Sequence, residues 1–192
     1  HIYVFSALAL NKILENFKLE IFDIENTKTH GGSNRYYIKK KSNLSYRIAQ
    51  NVKTEITKEM KFGLNKLTTY KKFEKKVKKS KINLLKIFNN LNKKNLRIVG
   101  YGATAKSCTV LNYCGLGIKN IKYFFDTTSY KINKYLPGSK ILIKKYKKLD
   151  NREIDVVYLG AWNFRDEIFK KEKSFIKKGG KFITHIPFPK II

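Results

Sequence analysis

The residues best suited to chemistry lie in the segment LRIVGYGATAKS, residues 96–107, where an apolar run leads directly into a glycine-rich turn. The turn satisfies the relaxed pattern G-x-G-x-x-(G/A), which begins with Gly100, Tyr101, Gly102 and Ala103. Glycines at these positions allow a tight turn and a close approach of the backbone to a phosphate, and the helix that follows directs its N-terminal amides at the anion. The pattern predicts a phosphate-binding turn, although a turn that only links a strand to a helix would have the same residues.

Two charged residues strengthen this interpretation. Lys106 lies in the first turn of the predicted helix, where its ammonium group can pair with a second phosphate charge. Asp126 ends the next predicted strand, where an acidic group can bind a ribose hydroxyl. Taken without other information, the turn, the lysine and the aspartate indicate a domain that binds NAD.

A second candidate group consists of Trp162 and Asn163, which lie at the carboxyl end of another predicted strand. Open α/β sheets bind their ligands at this edge, so the indole can stack on a base and the amide can form a hydrogen bond. Core packing of the indole and an N-cap role for the asparagine are equally compatible with the sequence.

Other ionisable residues have structural interpretations beside the functional ones. His30 lies next to two glycines in a predicted turn, where it can contact a ligand, although a histidine in a turn is more often structural. Asp166 and Glu167 favour the start of a helix rather than catalysis, because acidic side chains stabilise a helix N-terminus. His185 is predicted to be structural.

The formal net charge of +28 raises the hypothesis of nucleic-acid binding, which the residue types oppose. Almost all the positive charge comes from lysine, whereas proteins that read phosphates and base edges favour arginine for its rigid bidentate geometry. Lysine, asparagine and isoleucine are enriched together, as a general bias in composition would produce. We therefore expect no nucleic-acid partner, and we expect the charge only to draw anionic ligands toward a cleft.

Cysteine usage and hydropathy bear on the location of the protein. Cys108 and Cys114 have no metal-ligand spacing and are expected to be small buried apolar residues, so the sequence predicts a cytoplasmic protein without a metal site. The opening residues IYVFSALAL lack the basic start and the cleavage site of a signal peptide. No apolar run reaches the ~18 residues of a membrane span, so no membrane partner is expected. The first residue is not Met, which favours an incomplete chain.

The elements that must hold these residues fall into three regions. Residues 1–41 predict a helix capped by Ser6 and then two strands, 19–25 and 35–38, that form an antiparallel hairpin. Residues 42–95 predict a lysine-rich amphipathic connector, whose apolar residues recur at three- and four-residue steps. Such a helix could lie on an anionic membrane, but the simpler interpretation is a connector packed on its neighbours.

Residues 96–192 alternate short apolar strands with helices. The predicted strands are 96–99, 121–125, 141–143, 156–159 and 181–186, and the predicted helices are 104–114 and 164–178. Strands that alternate with helices form a parallel sheet covered on both faces. The fold class is therefore predicted to be α/β, with a Rossmann-like parallel sheet domain.

Five segments taken together resemble one protein family. They are, in order, THGGS at residues 29–33, GYGATAK at 100–106, the group of Asp126, Lys131 and LPG at 136–138, AWNFRDEI at 161–168 and GGKFITHIP at 179–187. This ordered set resembles the C-terminal domain of C-methyltransferases that act on C-3 of nucleotide-linked 4-keto-deoxysugars. The similarity covers nearly the whole chain.

The resemblance implies an enzyme of three parts: a zinc-binding module, a class I S-adenosylmethionine-dependent methyltransferase domain and a Rossmann-like C-terminal domain. Residues 1–41 would then be the last helix and hairpin of the methyltransferase domain, residues 42–95 a helical connector, and residues 96–192 the C-terminal domain. The zinc and most of the S-adenosylmethionine site would lie in parts that precede this chain. The glycine-rich turn would help to hold the sugar nucleotide rather than NAD or the methyl donor.

The resemblance also implies roles for individual residues. His1, followed by IYVFS, matches the histidine of a Glu-His pair and would be the general base that removes the proton next to the C-4 ketone. Imidazole titrates near neutral pH and is suited to this step. The expected substrate-binding residues are His30, Gly31, Gly32, Ser33, Gly100, Tyr101, Gly102, Ala103, Lys106, Asp126, Trp162 and Asn163.

The predicted function is therefore that of the C-terminal part of a C-methyltransferase, which retains mainly the sugar-nucleotide side of the cleft and is inactive by itself. The alternative is a Rossmann-like domain that binds NAD or a nucleotide without methyl transfer. A basic scaffold for polyanions or membranes is a third hypothesis, and it predicts salt-sensitive binding without a preference for nucleotide sugars. The upstream coding sequence separates the first two, because a methyltransferase requires a glycine-rich donor-binding motif there.

Overall fold

The computed structural model describes residues 3–29 and 32–192 of the chain. The chain divides into two compact units, residues 1–75 and 76–192, and the boundary falls inside one long helix. Each unit has an apolar core of its own.

The first unit begins with a helix and an antiparallel hairpin, as the sequence predicts. The hydroxyl of Ser6 accepts a hydrogen bond from the Ala9 amide at 3.1 Å, so the predicted N-cap is confirmed. The two strands pair along their length, with an irregularity between Ile21 and Asp23. The elements of this unit are α1 (Ala7–Glu15), β1 (Leu19–Thr27), β2 (Ser33–Lys40), α2 (Gln50–Phe62) and the start of α3 (Leu67–Lys93).

A small apolar core joins α1, β1 and α2. Its five buried members are at most 7 % exposed and pack as one cluster: Ala7, Leu14, Ile21, Ile24 and Val52. Helix α2 therefore belongs to the same folded unit as the hairpin. The predicted connector, residues 42–95, consists of α2 and α3 and is divided between the two units.

A buried carboxylate anchors the start of α1. Glu59 of α2 is 8 % exposed, and its two oxygens accept hydrogen bonds from the amides of Ala7 at 2.9 Å and Leu8 at 2.7 Å. Amides in the first turn of a helix have no partner within the helix, and a negative charge placed there also opposes the positive end of the helix dipole. Together with the Ser6 hydroxyl, Glu59 provides acceptors for three consecutive amides.

We expect the substitution Glu59→Ala to lower the free energy of unfolding by about 2 kcal/mol, because hydrogen bonds to a charged acceptor contribute ~1.5–3 kcal/mol. The matched control is Glu15→Ala, which removes an exposed carboxylate of α1 whose contact is Asn11 at 3.3 Å. We expect the control to change stability by less than about 0.5 kcal/mol. Urea denaturation followed by circular dichroism measures both, and equal losses would show that Glu59 does not anchor α1.

The second unit is a mixed α/β fold around a six-stranded sheet. The strand order is β5-β4-β3-β6-β7-β8, and each neighbouring pair is parallel except β7 and β8. This confirms the predicted α/β class with a mostly parallel sheet. After the end of α3, the elements are β3 (Ile98–Tyr101), α4 (Ala105–Cys114), β4 (Phe124–Asp126), a 3-10 helix (Ser129–Lys131), β5 (Ile143–Lys145), β6 (Val156–Leu159), a 3-10 helix (Trp162–Phe164), α5 (Arg165–Lys171), α6 (Lys173–Lys177), β7 (Lys181–Thr184) and β8 (Lys190–Ile191).

The sheet sends its side chains alternately into two apolar layers, as the two-residue period of a strand requires. Ile98 of β3 and Val156 of β6 belong to the layer that contains α3 and α4, whereas Val99 and Val157 belong to the layer that contains α5 and α6. Helices therefore cover both faces. For this reason β3, β4 and β6 are buried along their whole length.

The prediction of a single helix over residues 164–178 is wrong. A 3-10 helix ends at Phe164, and the helix that follows is interrupted at Glu172 between α5 and α6. Glu172 lies between Ile168 and Phe175 on the inward face, where it is 1 % exposed, and its carboxylate accepts a hydrogen bond from the Tyr146 hydroxyl at 2.6 Å. A buried charge requires such a partner.

Three strands begin and end later than the sequence patterns predict. β3 continues through Gly100 and Tyr101, because these residues pair with β4 on one side and β6 on the other. β4 and β5 likewise extend to Asp126 and Lys145. The last predicted strand ends earlier, at Thr184, and β8 pairs antiparallel with it although no sequence pattern predicts a strand there.

The thiols lie on α4, where Cys114 is buried in the core and Cys108 packs against it. Burial raises the pKa of both thiols.

Within residues 3–29 and 32–192, the side chains of His, Cys, Asp and Glu form no group of three or more that could hold a metal ion. Among the described helices, none is sufficiently long and apolar to span a membrane.

Candidate functional site

The carboxyl edge of the sheet brings the glycine-rich turn and the loop after β6 together. The chain leaves β3 toward β4 and β5 on one side, and it then returns to β6 on the other side of β3. The strand order therefore reverses between β3 and β6, and open α/β sheets bind ligands in the crevice at such a point. The turn, residues 102–104, follows β3, and the loop, residues 160–164, follows β6.

Glycines at this edge permit a close approach of protein segments. Gly102 has φ +83°, a conformation that favours glycine, and a Cβ there would collide with the Cβ of Ala161. Gly100 lies inside β3, where a Cβ would collide with the ring of Phe124. The two glycines thus allow the turn to lie close to the loop after β6 and the Phe124 ring to pack on β3.

Two amides at the start of the turn have acceptors within the protein. The amide of Gly102 donates to the carbonyl of Phe125 at 2.8 Å. The amide of Ala103 donates to Oδ2 of Asp126, also at 2.8 Å. These bonds tie the turn to the end of β4, so these two amides are not free to bind a ligand.

The start of α4 offers amides that are free. Thr104 is the N-cap, and its hydroxyl accepts a hydrogen bond from the Ser107 amide at 3.1 Å. The amides of Ala105 and Lys106 have no acceptor among the described residues. Because first-turn amides carry the positive end of the helix dipole, this pair is suited to bind an anion, and we call it the anion site.

Three predicted site residues meet around the side chain of Lys106. The ammonium of Lys106 lies 3.3 Å from Oδ1 of Asn163 and 4.9 Å from the centre of the Trp162 ring. The amide oxygen accepts a hydrogen bond and the indole face attracts the cation. Asn163 does not cap a helix, since Phe164 holds the N-cap position of α5. The loop after β6 therefore restrains the position of the Lys106 ammonium.

Asp126 forms hydrogen bonds within the turn. Its Oδ2 accepts from the Ala103 amide, and its Oδ1 accepts from the Thr128 amide at 2.8 Å. The ammonium of Lys131 lies 3.5 Å from Oδ2 and donates to the carbonyl of Ala103 at 3.0 Å. Burial alone would raise the pKa of Asp126, but the hydrogen bonds from Thr128, the charge of Lys131 and the bond from Ala103 lower it below its usual value.

A groove of about 390 Å³ opens beside the turn. One wall consists of residues at helical spacing on α5 and just before it, and other lining residues come from the carboxyl ends of β3 and β4 and the loop after β4. The lining residues are Tyr101, Gly102, Thr104, Phe125, Asp126, Thr127, Thr128, Lys131, Tyr146, Ala161, Phe164, Glu167, Ile168 and Lys171. The groove is thus continuous with the turn and combines aromatic, hydroxyl and charged side chains.

A buried carboxylate holds the aromatic side of the groove. The rings of Tyr101 and Tyr146 lie 5.5 Å apart, and Glu172 accepts the hydrogen bond of the Tyr146 hydroxyl. Burial, with a contribution from the charge of Glu172, raises the pKa of Tyr101 to about 12. Burial and the hydrogen bond to Glu172 also raise the pKa of Tyr146. Both phenols therefore remain protonated at neutral pH.

Sequence patterns did not identify several residues of this groove. Tyr146 lies in a lysine-rich stretch without a motif, and Lys171 resembles the other lysines around it. Phe164 stands within the segment AWNFRDEI but offers no polar atom that would single it out. The one available signal is Glu172, because a glutamate on the apolar face of a predicted helix requires a buried partner.

The remaining predicted site residues belong to the first unit. Gly32 has φ +117°, and its amide donates to the carbonyl of Thr29 at 3.0 Å. Ser33 begins β2, and its hydroxyl donates to the same carbonyl at 3.1 Å. Three further predicted residues lie outside the described residues: His1, His30 and Gly31.

Comparison with known proteins identifies the family. The family described as C-methyltransferase C-terminal domain matches residues 28–187. The chain is also 30 % identical over 192 residues to the C-methyltransferase NovU of Streptomyces niveus, in an alignment that covers 100 % of this chain and 46 % of that relative. The chain thus spans about half the length of the curated relative it matches. The family match includes the glycine-rich turn, the groove and the loop after β6, and the chain therefore belongs to the C-methyltransferase C-terminal domain family.

Proposed function

We propose that this chain binds the methyl acceptor of an S-adenosylmethionine-dependent C-methyltransferase, and that the acceptor is a nucleotide-linked sugar with a keto group at C-4. The observation that carries the proposal is the anion site at the start of α4, where one helical turn carries both the free amides of Ala105 and Lys106 and the ammonium group of Lys106. Family membership and the name of the relative support the transfer of a methyl group to carbon.

A diphosphate fits the anion site by charge and geometry. Helix N-termini bind phosphates through their amides, and a lysine in the first turn adds a full positive charge. The contacts of Lys106 are neutral, with Asn163 and Trp162, so no carboxylate in the described part of the chain neutralises its ammonium group. These two contacts also restrict where the ammonium can lie, which reduces the entropy lost when it binds a phosphate.

The hydrogen bonds of Asp126 support a structural role for its carboxylate in the turn. Dinucleotide-binding domains use an acidic group near this position to bind ribose hydroxyls. Here both oxygens of Asp126 accept amide hydrogen bonds, from Ala103 and Thr128. We infer that Asp126 shapes the turn and that its effect on the substrate passes through Lys131, which contacts its carboxylate and lines the groove.

The proposed reaction requires a proton to leave the carbon next to the ketone. Its removal gives an enolate, whose carbon is nucleophilic. S-adenosylmethionine supplies an electrophilic methyl group, and we assign its binding mainly to parts of the enzyme that precede this chain. We propose His1 as the general base, since imidazole titrates near neutral pH. The hairpin turn is proposed to contact the sugar through His30, Gly31, Gly32 and Ser33.

The same proposal assigns a role to each region of the chain. Residues 1–41 are the last helix and hairpin of a class I methyltransferase domain, which α1, β1 and β2 support. Residues 42–95 connect this part to residues 96–192, a Rossmann-like domain for the acceptor, which the mostly parallel sheet supports. The zinc that the family resemblance implies would belong to a separate N-terminal module.

Isothermal titration calorimetry with dTDP- and UDP-linked sugars tests the proposal. We expect the protein to bind them, and we expect Lys106→Ala to weaken binding about tenfold. Charge-assisted hydrogen bonds contribute ~1.5–3 kcal/mol, and 1.4 kcal/mol corresponds to a factor of ten.

The matched control for this experiment is Lys119→Ala. Lys119 is an exposed lysine between α4 and β4, so its loss changes the net charge equally but leaves the anion site intact. We expect the control to change affinity by less than about twofold, because salt screens exposed charges. Equal losses in the two variants, or no binding of either nucleotide sugar, would contradict the proposal.

A further inference from the structure

The groove beside the turn contains chemistry that the proposed diphosphate contacts do not use. We propose that this groove binds the nucleobase of the nucleotide sugar, with Phe164 stacking on the base and Lys171 donating a hydrogen bond to a base carbonyl. The inference rests on the proposed function, because the base is part of the same ligand as the diphosphate.

The groove begins next to the proposed diphosphate site. Gly102 and Thr104 line it, and Thr104 is the N-cap of the helix whose next two residues, Ala105 and Lys106, provide the free amides. A nucleoside attached to a diphosphate at these amides can therefore extend directly into the groove. The volume of about 390 Å³ lies within the ~300–1,000 Å³ that small-molecule sites occupy.

Phe164 provides the stacking surface. It lines the groove, yet it is 59 % exposed and makes no ring contact with another aromatic residue of the described chain. A large exposed ring at the carboxyl edge of a parallel sheet stabilises nothing in the core. Stacking of a base on an aromatic ring contributes affinity to nucleotide binding, and it tolerates different bases because every base has a flat face.

Lys171 provides the hydrogen-bond donor. Its ammonium lies 3.7 Å from the centre of the Tyr146 ring, and it has no carboxylate within salt-bridge distance in the described residues. Lys131, the other lysine of the groove, differs because Asp126 neutralises it. Glu167 precedes Lys171 by one helical turn and also lines the groove, so the wall offers both a donor and an acceptor. Nucleobases present carbonyl and N–H groups that match such a pair.

Glu172 is a positioning residue for Lys171. Its carboxylate, 1 % exposed, accepts the hydrogen bond from Tyr146 at 2.6 Å and a second one from the Leu149 amide at 3.4 Å. This fixes the Tyr146 ring on which the Lys171 ammonium lies.

Calorimetric titration of UDP and of inorganic pyrophosphate separates the base from the diphosphate. We expect Phe164→Ala to weaken UDP binding by about 5- to 150-fold, which corresponds to the usual contribution of one stacked base. Pyrophosphate binding should change by less than about twofold, because it lacks a base and uses the α4 amides. Phe164→Tyr should retain UDP affinity, because it keeps the ring.

The control variants replace residues of the same type that do not line the groove. Phe188 is 74 % exposed, and Lys170 is exposed on α5 next to Lys171. We expect Phe188→Ala and Lys170→Ala to leave UDP binding unchanged, whereas Lys171→Ala should weaken it about tenfold, as the loss of a hydrogen bond from a charged donor does. If Phe164→Ala and Lys171→Ala weaken UDP and pyrophosphate equally, or weaken neither, the base does not bind in this groove.

A double-mutant cycle tests the role of Glu172. Glu172→Gln should weaken UDP binding in the wild-type background and have no further effect in the Lys171→Ala background, because its contribution passes through Lys171. A variant that has simply unfolded would also lose pyrophosphate, so pyrophosphate titration monitors the fold. Additive losses would overturn the positioning role. If the unmodified protein binds neither UDP nor pyrophosphate, it is the proposed function that fails.

Discussion

Replacing Gly102 with alanine is expected to lower the free energy of unfolding by about 4 kcal/mol, the sum of a strained positive φ and an overpacked contact. Gly102 has φ +83°, and the new Cβ would collide with the Cβ of Ala161 and lie 2.9 Å from its backbone nitrogen. A backbone atom cannot move aside as the end of a flexible side chain can. We therefore expect the turn to separate from the loop after β6, with loss of nucleotide-sugar binding as well as of stability.

The matched control for Gly102→Ala is Gly115→Ala. Gly115 ends α4 with φ +68°, but a Cβ built there has no atom within 4 Å. At this position only the backbone strain destabilises the variant, so we expect its free energy of unfolding to fall by about 1 kcal/mol. Chemical denaturation of both variants measures the difference. Equal losses at the two positions would show that the approach of the turn to Ala161 does not require glycine.

Acidification from pH 6.5 to pH 4 is expected to lower the free energy of unfolding by about 3 kcal/mol through one histidine, His185. This residue is 5 % exposed, and its ring stacks on that of Tyr158 with 5.5 Å between centres. Burial lowers the pKa of His185 from 6.5 to about 4. The unfolded chain therefore takes up a proton at a higher pH than the folded chain does. The contribution to stability is complete above pH 6.5 and is lost as the pH falls through this interval.

The variant His185→Phe isolates this effect. Phenylalanine keeps a ring against Tyr158 but does not titrate, so we expect the slope of stability between pH 4 and pH 6.5 to become flatter even though overall stability falls. The pKa values of Asp126 and Asp155 are lowered from 3.8, so these carboxylates lose their contributions mainly below this interval. Urea denaturation at half-unit pH steps measures the slope. An unchanged slope in the variant would rule out His185 as its source.

The glycine-rich turn and the loop after β6 are predictable as separate segments, because each has a local signature. The glycine pattern marks the turn, and the apolar strand before Trp162 marks the loop at the same edge of the sheet. Their contact, which brings Lys106 to 3.3 Å from Asn163, is not predictable. These residues are far apart in the chain, and the strand order decides which loops meet.

The role of Asp126 shows the limit of a motif. Its position at the end of β4 is what the dinucleotide pattern predicts, and the local sequence places it there correctly. Whether its oxygens remain free for a ligand depends on the amides that approach them in the folded chain. In the folded chain the amide of Ala103 donates to Oδ2 of Asp126 and the amide of Thr128 donates to its Oδ1, each at 2.8 Å.

By itself, the sequence of this chain determines the α/β class, the helix start at Ser6, the glycine-rich turn and the resemblance to C-methyltransferases. These features depend on hydrophobic period, capping and turn residues, which act over a few neighbouring positions. Only the tertiary structure decides that Ala105 and Lys106 keep free amides, that Glu172 is buried against Tyr146, and that a groove lies beside the turn. The physical reason is that a hydrogen-bonding group is satisfied or free only once distant segments have packed around it.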